Sequence, residues 1–414
     1  MNNTLLHIEN DAVIFGFLLI ILGVVFYTSN LKSLFWKKFY TFFPVILLCY
    51  FIPSLLNTTG IVSPEKSNLY FVASRYLLPT SLVLLTLSVD LKEISKLGSK
   101  ALIMFFTGTV GIIIGGPIAI IIVKNLFPNL VLINPEELAR GMTTIAGSWI
   151  GGGANQTAMK EIFNVDGELF SKMVTVDVLV GNAWLAVLLI GVGKTVFIDK
   201  FLGADSSSVE SVKEKIEKYN LSIARIPDLK ELIYVLTIGF GITGISHLIA
   251  DNIAPYLLNN FPILEKYSLT SSFFWLIVMA TTFGVILSFT RLRDLEGVGA
   301  SKIGTIFIYI LVATIGLQMN LFTVFDNPGL FLIGFIWISV HVILLFVVAI
   351  FIKAPYFFVA VGSQANVGGA ASAPVVASAF HPSLAPVGVL LAVLGYALGT
   401  YAAWLCGILM QFAS

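Results

Sequence analysis

The feature that most limits what this chain can fold into is a series of ten long apolar runs. They lie at residues 11–29, 39–57, 71–90, 100–123, 169–196, 232–250, 272–289, 303–320, 330–352 and 384–411. Each approaches the roughly 20 residues a helix needs to cross the hydrocarbon of a bilayer. Backbone amides left unpaired in hydrocarbon cost several kcal/mol each, so spanning segments are confined to helices or closed barrels, and runs of this length select helices. Only 11% of the 414 residues are charged, where soluble domains carry about 25%. The expected fold is an all-α polytopic membrane protein whose partner is the lipid bilayer.

A formal net charge of +1 argues against nucleic acid, which requires a concentrated basic surface to replace condensed counterions. The N-terminal "MNNTLLHIENDAVIFGF" has no Lys or Arg before its apolar run, unlike a secretory signal peptide. Cys49 and Cys406 both fall inside apolar runs, which leaves no disulfide framework or paired metal-binding motif.

The hydrophilic stretch 198–230, which contains "SSSVESVKEKIEKYN", divides the chain into residues 1–197 and 231–414. The two parts repeat each other. "LSVDLKEI" from Leu87 matches "LQMNLFTV" from Leu317, with Asp90 opposite Asn320, and in the same order "GSWIGGGANQ" from Gly147 meets "GSQANVGGAAS" from Gly362. Repetition with interrupted segments at corresponding positions is the best sequence pointer to the binding site of a secondary transporter.

Two further segments, 138–163 and 355–380, are apolar overall but broken at their centres by Gly and polar residues. If both crossed fully, each half would cross six times and the halves would be parallel. If both are re-entrant hairpins, each half crosses five times and the repeats are inverted. With the N-terminus outside, the second arrangement puts 17 of the 24 basic residues inside, including those of a cytoplasmic 198–230 linker. The positive-inside rule therefore favours inversion.

Within "GSWIGGGANQTAM", Gly151, Gly152 and Gly153 are the expected break, because glycine adopts dihedrals that other residues avoid. Asn155, Gln156 and Thr157 follow where a new half-helix would start, a position that suits Asn and Thr as caps. Together with Ser148 they form the first candidate solute-binding group, and Ser363, Gln364, Asn366, Gly368, Gly369 and Ser372 form the second. Neither group contains a charge. Half-helix N-termini suit anionic groups and unwound carbonyls suit cations. With Lys172 and Arg140 nearby in sequence, an anionic or zwitterionic solute is expected.

Ionisable residues inside membrane segments are costly and commonly functional. Asp177, about eight residues into its run, lies roughly 12 Å deep and is the expected coupling-ion site, for Na⁺ or H⁺. Its repeat counterpart is Gly395. Asn182 is a secondary ligand that needs a bend near Gly181, because five residues turn a helix by about 500°. His341, deep in "GFIWISVHVILLF", is a third candidate for ion coupling.

"GVGKT" from Gly191 imitates the end of a P-loop, but Leu188 stands where its first Gly should be and no strand precedes it. No HExxH or GxSxG occurs, so neither ATP-driven work nor embedded hydrolysis is expected. No cofactor is expected beyond the coupling ion.

"LSVDLKEI", "GSWIGGGANQTAM", "TVDVLVGNAW" and "GSQANVGGAASAPVVA" together resemble the YjcL-type family of uncharacterised bacterial integral membrane proteins. That family is similar to the cation:proton antiporter and anion transporter superfamily, which includes bile acid:sodium and glutamate:sodium symporters. The resemblance implies a bacterial inner-membrane location and inverted repeats. It also implies a mobile core domain (100–196 with 330–411) against a static scaffold domain (11–90 with 231–320), through which a homodimer would form. Bile acid symporters use interrupted helices that cross fully and citrate-type carriers use hairpins, so both arrangements stay open under it. The function expected is ion-coupled secondary transport of a small organic solute by alternating access of the elevator type. The rival reading is a channel or a ligand-binding membrane sensor.

Overall fold

The computed structural model describes residues 8–43, 45–62, 66–89, 94, 95, 97–131, 133–204, 209, 227–318, 327–381 and 384–414. Asp90 and Asn320, and most of the 198–230 linker, lie outside the described residues.

The described chain is helical, with one isolated bridge between Ile8 and Val62. The helices of the first part are α1 (Asp11–Ser29), α2 (Leu34–Phe42), α3 (Val45–Thr58), α4 (Leu69–Leu87), α5 (Ser99–Leu126), α6 (Pro135–Ile162), α7 (Gly167–Val192) and α8 (Thr195–Leu202). Those of the second are α9 (Leu229–Asn260), α10 (Ser272–Ser288), α11 (Ala300–Leu317), α12 (Pro328–Ile352), α13 (Tyr356–Val367), α14 (Gly369–Phe380) and α15 (Ala385–Ala413). All ten apolar runs fall on helices. Among the described residues, eight helices are long and apolar enough to cross a membrane, or ten if two bent pairs, α2 with α3 and α10 with Arg291–Val298, each count as one span.

Polar residues between the runs set the helix starts. Asn10 accepts from the amide of Ala12 at 2.9 Å, Asn134 from Glu136 at 2.9 Å, and Asp166 from Glu168 and Leu169 at 2.9 and 3.0 Å. Each satisfies amides that the first helical turn leaves without a partner.

Both interrupted segments are hairpins. In α6 the backbone leaves helical geometry at Gly152, with φ 72° and ψ −173°, and the chain reverses. A Cβ placed on Gly407 of α15 would touch both Thr143 and Phe163. Those two residues would stand about 30 Å apart along a straight helix. A Cβ on Gly147 would likewise sit 2.6 Å from the carbonyl of Asn155, so the arms lie main chain to main chain where only glycine fits. In the second segment Phe380 packs on Phe357 with ring centroids 5.2 Å apart, which brings the far ends of α13 and α14 together. We call α6 hairpin 1 and α13–α14 hairpin 2.

Helix α15 orders the two. Hairpin 2 packs near its start, where Gly388 lies against the main chain of Ala373, and the base of hairpin 1 packs near its end at Gly407. Both tips lie at its middle: Gly395 faces the carbonyl of Ile150 and, further off, that of Ala365. The hairpins thus approach from opposite ends of one helix and meet: a Cβ placed on Gly369 would lie 3.9 Å from the Cα of Gly152.

The helices pack in two groups. The hairpins, α5, α7, α12 and α15 contact one another extensively, and α1, α3, α4, α9, α10 and α11 form a second set. The most extensive contacts between the groups run through hairpin 1 and α15 on one side and α4, α10 and α11 on the other, and Tyr50 of α3 meets Phe170 of α7 with ring centroids 6.4 Å apart.

Candidate functional site

Where the tips meet, they border a cavity of about 330 Å³. Hairpin 1 contributes Ser148, Gly152, Gly153 and Gln156, and hairpin 2 contributes Gln364, Gly368, Gly369 and Ser372. Asp177 and Asn182 enter from α7. The opposite wall belongs to the second helix group, with Tyr50, Leu85, Thr305, Ile308 and Tyr309.

Asp177 is tied to both arms of hairpin 1. Trp149 Nε1 donates to Oδ1 at 2.7 Å and Gln156 Nε2 to Oδ2 at 2.9 Å. A carboxylate oxygen carries two lone pairs, so the group can still accept from a ligand. Among the described residues no Lys, Arg or His lines the cavity, and Asp177 is its one carboxylate and dominant charge.

Asn182 reaches the cavity although α7 is unbroken from Gly167 to Val192. The bend expected near Gly181 is not needed. The cavity spreads over several helices and so touches α7 on more than one face.

The remaining candidates lie behind the site. Asn155 donates to the carbonyl of Gly151 at 2.9 Å and accepts from Thr400 at 2.7 Å. Asn366 donates to the carbonyls of Gly362 (2.9 Å) and Phe105 (3.0 Å) and accepts from Thr109 at 2.8 Å. Each fastens its hairpin to a neighbouring helix. Thr157 bonds back to the carbonyl of Gly153 at 3.0 Å, and Gly151 lets α15 approach at Gly399.

His341 is fully buried away from the cavity. Its Nδ1 faces the carbonyl of Gly108 at 2.9 Å and its Nε2 faces Ser363 Oγ at 2.8 Å. A carbonyl only accepts, so the neutral ring carries its proton on Nδ1 and Nε2 accepts from Ser363. Ser363 in turn accepts from Trp184 at 2.8 Å. His341 and Ser363 therefore belong to a closed bonding chain and not to the cavity wall. Lys172 pairs with Glu168 at 2.7 Å, and neither it nor Arg140 lines the cavity, so the cations that motivated an anionic solute are elsewhere.

Sequence reasoning missed the aromatic wall, Tyr50, Tyr309 and Tyr396, since a tyrosine in an apolar run looks the same facing a cavity, a helix or lipid. Trp149 stood inside the quoted motif, and its indole N–H gave the one available signal, because a buried indole nitrogen needs an acceptor.

These features define a multi-pass helical membrane protein with two opposed hairpins over one buried acid. The chain belongs to the family described as "Protein of unknown function (DUF819)", whose model matches residues 16–412. It is also similar to the uncharacterized membrane protein YjcL of Bacillus subtilis (strain 168), at 25% identity over 356 residues, covering 82% of this chain and 83% of that protein.

Proposed function

We propose that the protein is a secondary active transporter, coupled to Na⁺ or H⁺, that moves a small organic solute by alternating access. One observation carries the reading: two hairpins enter from opposite ends of α15 and meet over a cavity whose one carboxylate among the described residues is Asp177. Such a site can be uncovered from either side by withdrawing one hairpin.

The elevator form of this reading has the hairpin-bearing group, residues 100–196 with 330–411, slide against the group of 11–90 with 231–320. The separate packing of the two sets supports it. The opposed hairpins support inverted repeats and kinship with the cation:proton antiporter and anion transporter superfamily. A bacterial inner-membrane location with the N-terminus outside, and a homodimer through the scaffold helices, complete the proposal.

Asp177 is the coupling-ion ligand, with Asn182 and the carbonyls of the tips in support. Reconstituted protein should accumulate a solute only under an imposed Na⁺ or pH gradient. Steady ohmic current in planar bilayers would instead establish a channel, and solute binding with no uptake under either gradient would establish a sensor.

A further inference from the structure

The cavity's polar lining is unevenly satisfied. Gln364 is almost fully buried; its Nε2 donates to Ser372 Oγ across hairpin 2 at 2.6 Å, and its Oε1 has no hydrogen-bond partner. A buried acceptor left unpaired is costly. It persists at a binding site when a ligand supplies the donor.

The cavity's charge has one sign among the described residues, since Asp177 lines it and no Lys, Arg or His does. A ligand group placed there must therefore donate hydrogen bonds and offset a negative charge. A protonated amine does both.

A few residues away the chemistry reverses. Helix α14 begins at the tip, and its N-cap residue is Gly368, which has no side chain to cap the first-turn amides. Gly369, Ala370 and Ala371 of that turn line the cavity. The first turn of a 12-residue helix offers N–H groups and partial positive charge to an anion. The acceptor on α13 and the donors on α14 are five to seven residues apart across one tight reversal, so both reach a single small molecule.

We infer that the solute is a small zwitterion, its ammonium group held by Gln364 Oε1 in the field of Asp177 and its carboxylate by the first turn of α14. This rests on the reading of the cavity as the solute site and narrows its ligand from small organic solutes in general to molecules that carry both a free amine and a carboxylate.

The test is equilibrium binding to the purified full chain, with no gradient, so that it does not depend on transport. The probes are the proteinogenic α-amino acids and small dipeptides, each beside its N-acetylated and its C-amidated derivative. At least one parent compound should bind and raise the melting temperature. N-acetylation should weaken it by about 100-fold or more, because a site built around a hydrogen-bonding group strongly rejects an analogue that lacks it. C-amidation should also weaken it.

Gln364→Leu should lower affinity about 10-fold; because it removes the bond to Ser372 along with the unpaired acceptor, the affinity is read on protein whose melting temperature shows it still folded. Gln364→Glu should keep or strengthen binding of the amine. Equal binding of the N-acetyl derivative, loss of binding in Gln364→Glu with retention in Gln364→Leu, or no binding by any probe would each overturn the inference. Gradient-driven uptake of a simple carboxylate would overturn it too and leave the transporter reading standing. Binding of the zwitterion without uptake would do the reverse.

Discussion

The two hairpins share a plan but are held differently. On the outer arm of hairpin 1, Glu161 bonds the Tyr70 hydroxyl and pairs with Arg75 at 3.0 Å, while Lys160 reaches Tyr70 at 2.8 Å and Glu161 at 3.3 Å. Tyr70 and Arg75 belong to α4, so this cluster ties the hairpin to the opposite helix group. Hairpin 2 has no charged residue between 356 and 380. Its polar side chains bond to each other, to α5, to α12 and to α7, all within its own group. Any sliding of one group past the other must therefore break bonds at hairpin 1, whereas hairpin 2 can move without breaking a polar contact to the far wall.

The comparison can be broken most directly at the acid that hairpin 1 surrounds. Asp177→Asn should leave folded, inserted protein and cut gradient-driven uptake by about 100-fold or more, the equivalent of about 2.7 kcal/mol. Uptake and melting temperature, measured together, separate this outcome from a purely structural role, in which both would fall in proportion.

Next in size are the glycines on which the hairpins seat. A Cβ on Gly388 would lie 2.5 Å from the main-chain carbonyl of Ala373 in hairpin 2, while one on Gly407 meets the side chains of Thr143 and Phe163 in hairpin 1. Backbone cannot rotate aside, so Gly388→Ala should cost about 3 kcal/mol and Gly407→Ala nearer about 1. Equal losses in thermal unfolding would show that the two seats are alike.

Glu161→Gln should cost about 1.5–3 kcal/mol, the worth of hydrogen bonds to a charged group, and act on one hairpin alone. Hydrogen exchange should quicken over residues 153–166 and stay unchanged over 356–380. Faster exchange in both would erase the asymmetry. The smallest effects are expected at the two asparagine anchors, where Thr400→Val and Thr109→Val each remove one donor, to Asn155 and Asn366 respectively. Each should cost about 1 kcal/mol, and a clear inequality would rank the anchors.

The helices were legible because bilayer thickness sets the length of a spanning run, and all ten runs became helices. The breaks were legible because glycine clusters are rare inside such runs, and the chain does turn at Gly152 and Gly369. The roles of individual polar residues were less so. Asn155 and Gln156 are adjacent, yet a helix turns about 100° per residue, which sends one to Thr400 and the other to Asp177. No local pattern says which neighbour waits on each side. The pairing of Asp177 with Gly395 illustrates the same limit: a Cβ on Gly395 would sit 2.6 Å from the carbonyl of Ile150, so α15 has no room for a second acid where the first hairpin leans on it.

The meeting of the tips has a consequence for how such a molecule can change its diet. At the tips Gly369 faces Gly152 with room for no more than a methyl group between them, 3.9 Å from an added Cβ to the Gly152 Cα, and a junction without side chains discriminates by shape alone. Chemical choice falls instead to residues set back from the junction, such as Gln156, Gln364 and Ser372, which line the cavity. Under the proposed transport reading, the opening and closing of the passage and the selection of its cargo would thereby be vested in different positions of the chain. A substitution that alters what is carried can leave untouched the hinge by which it is admitted.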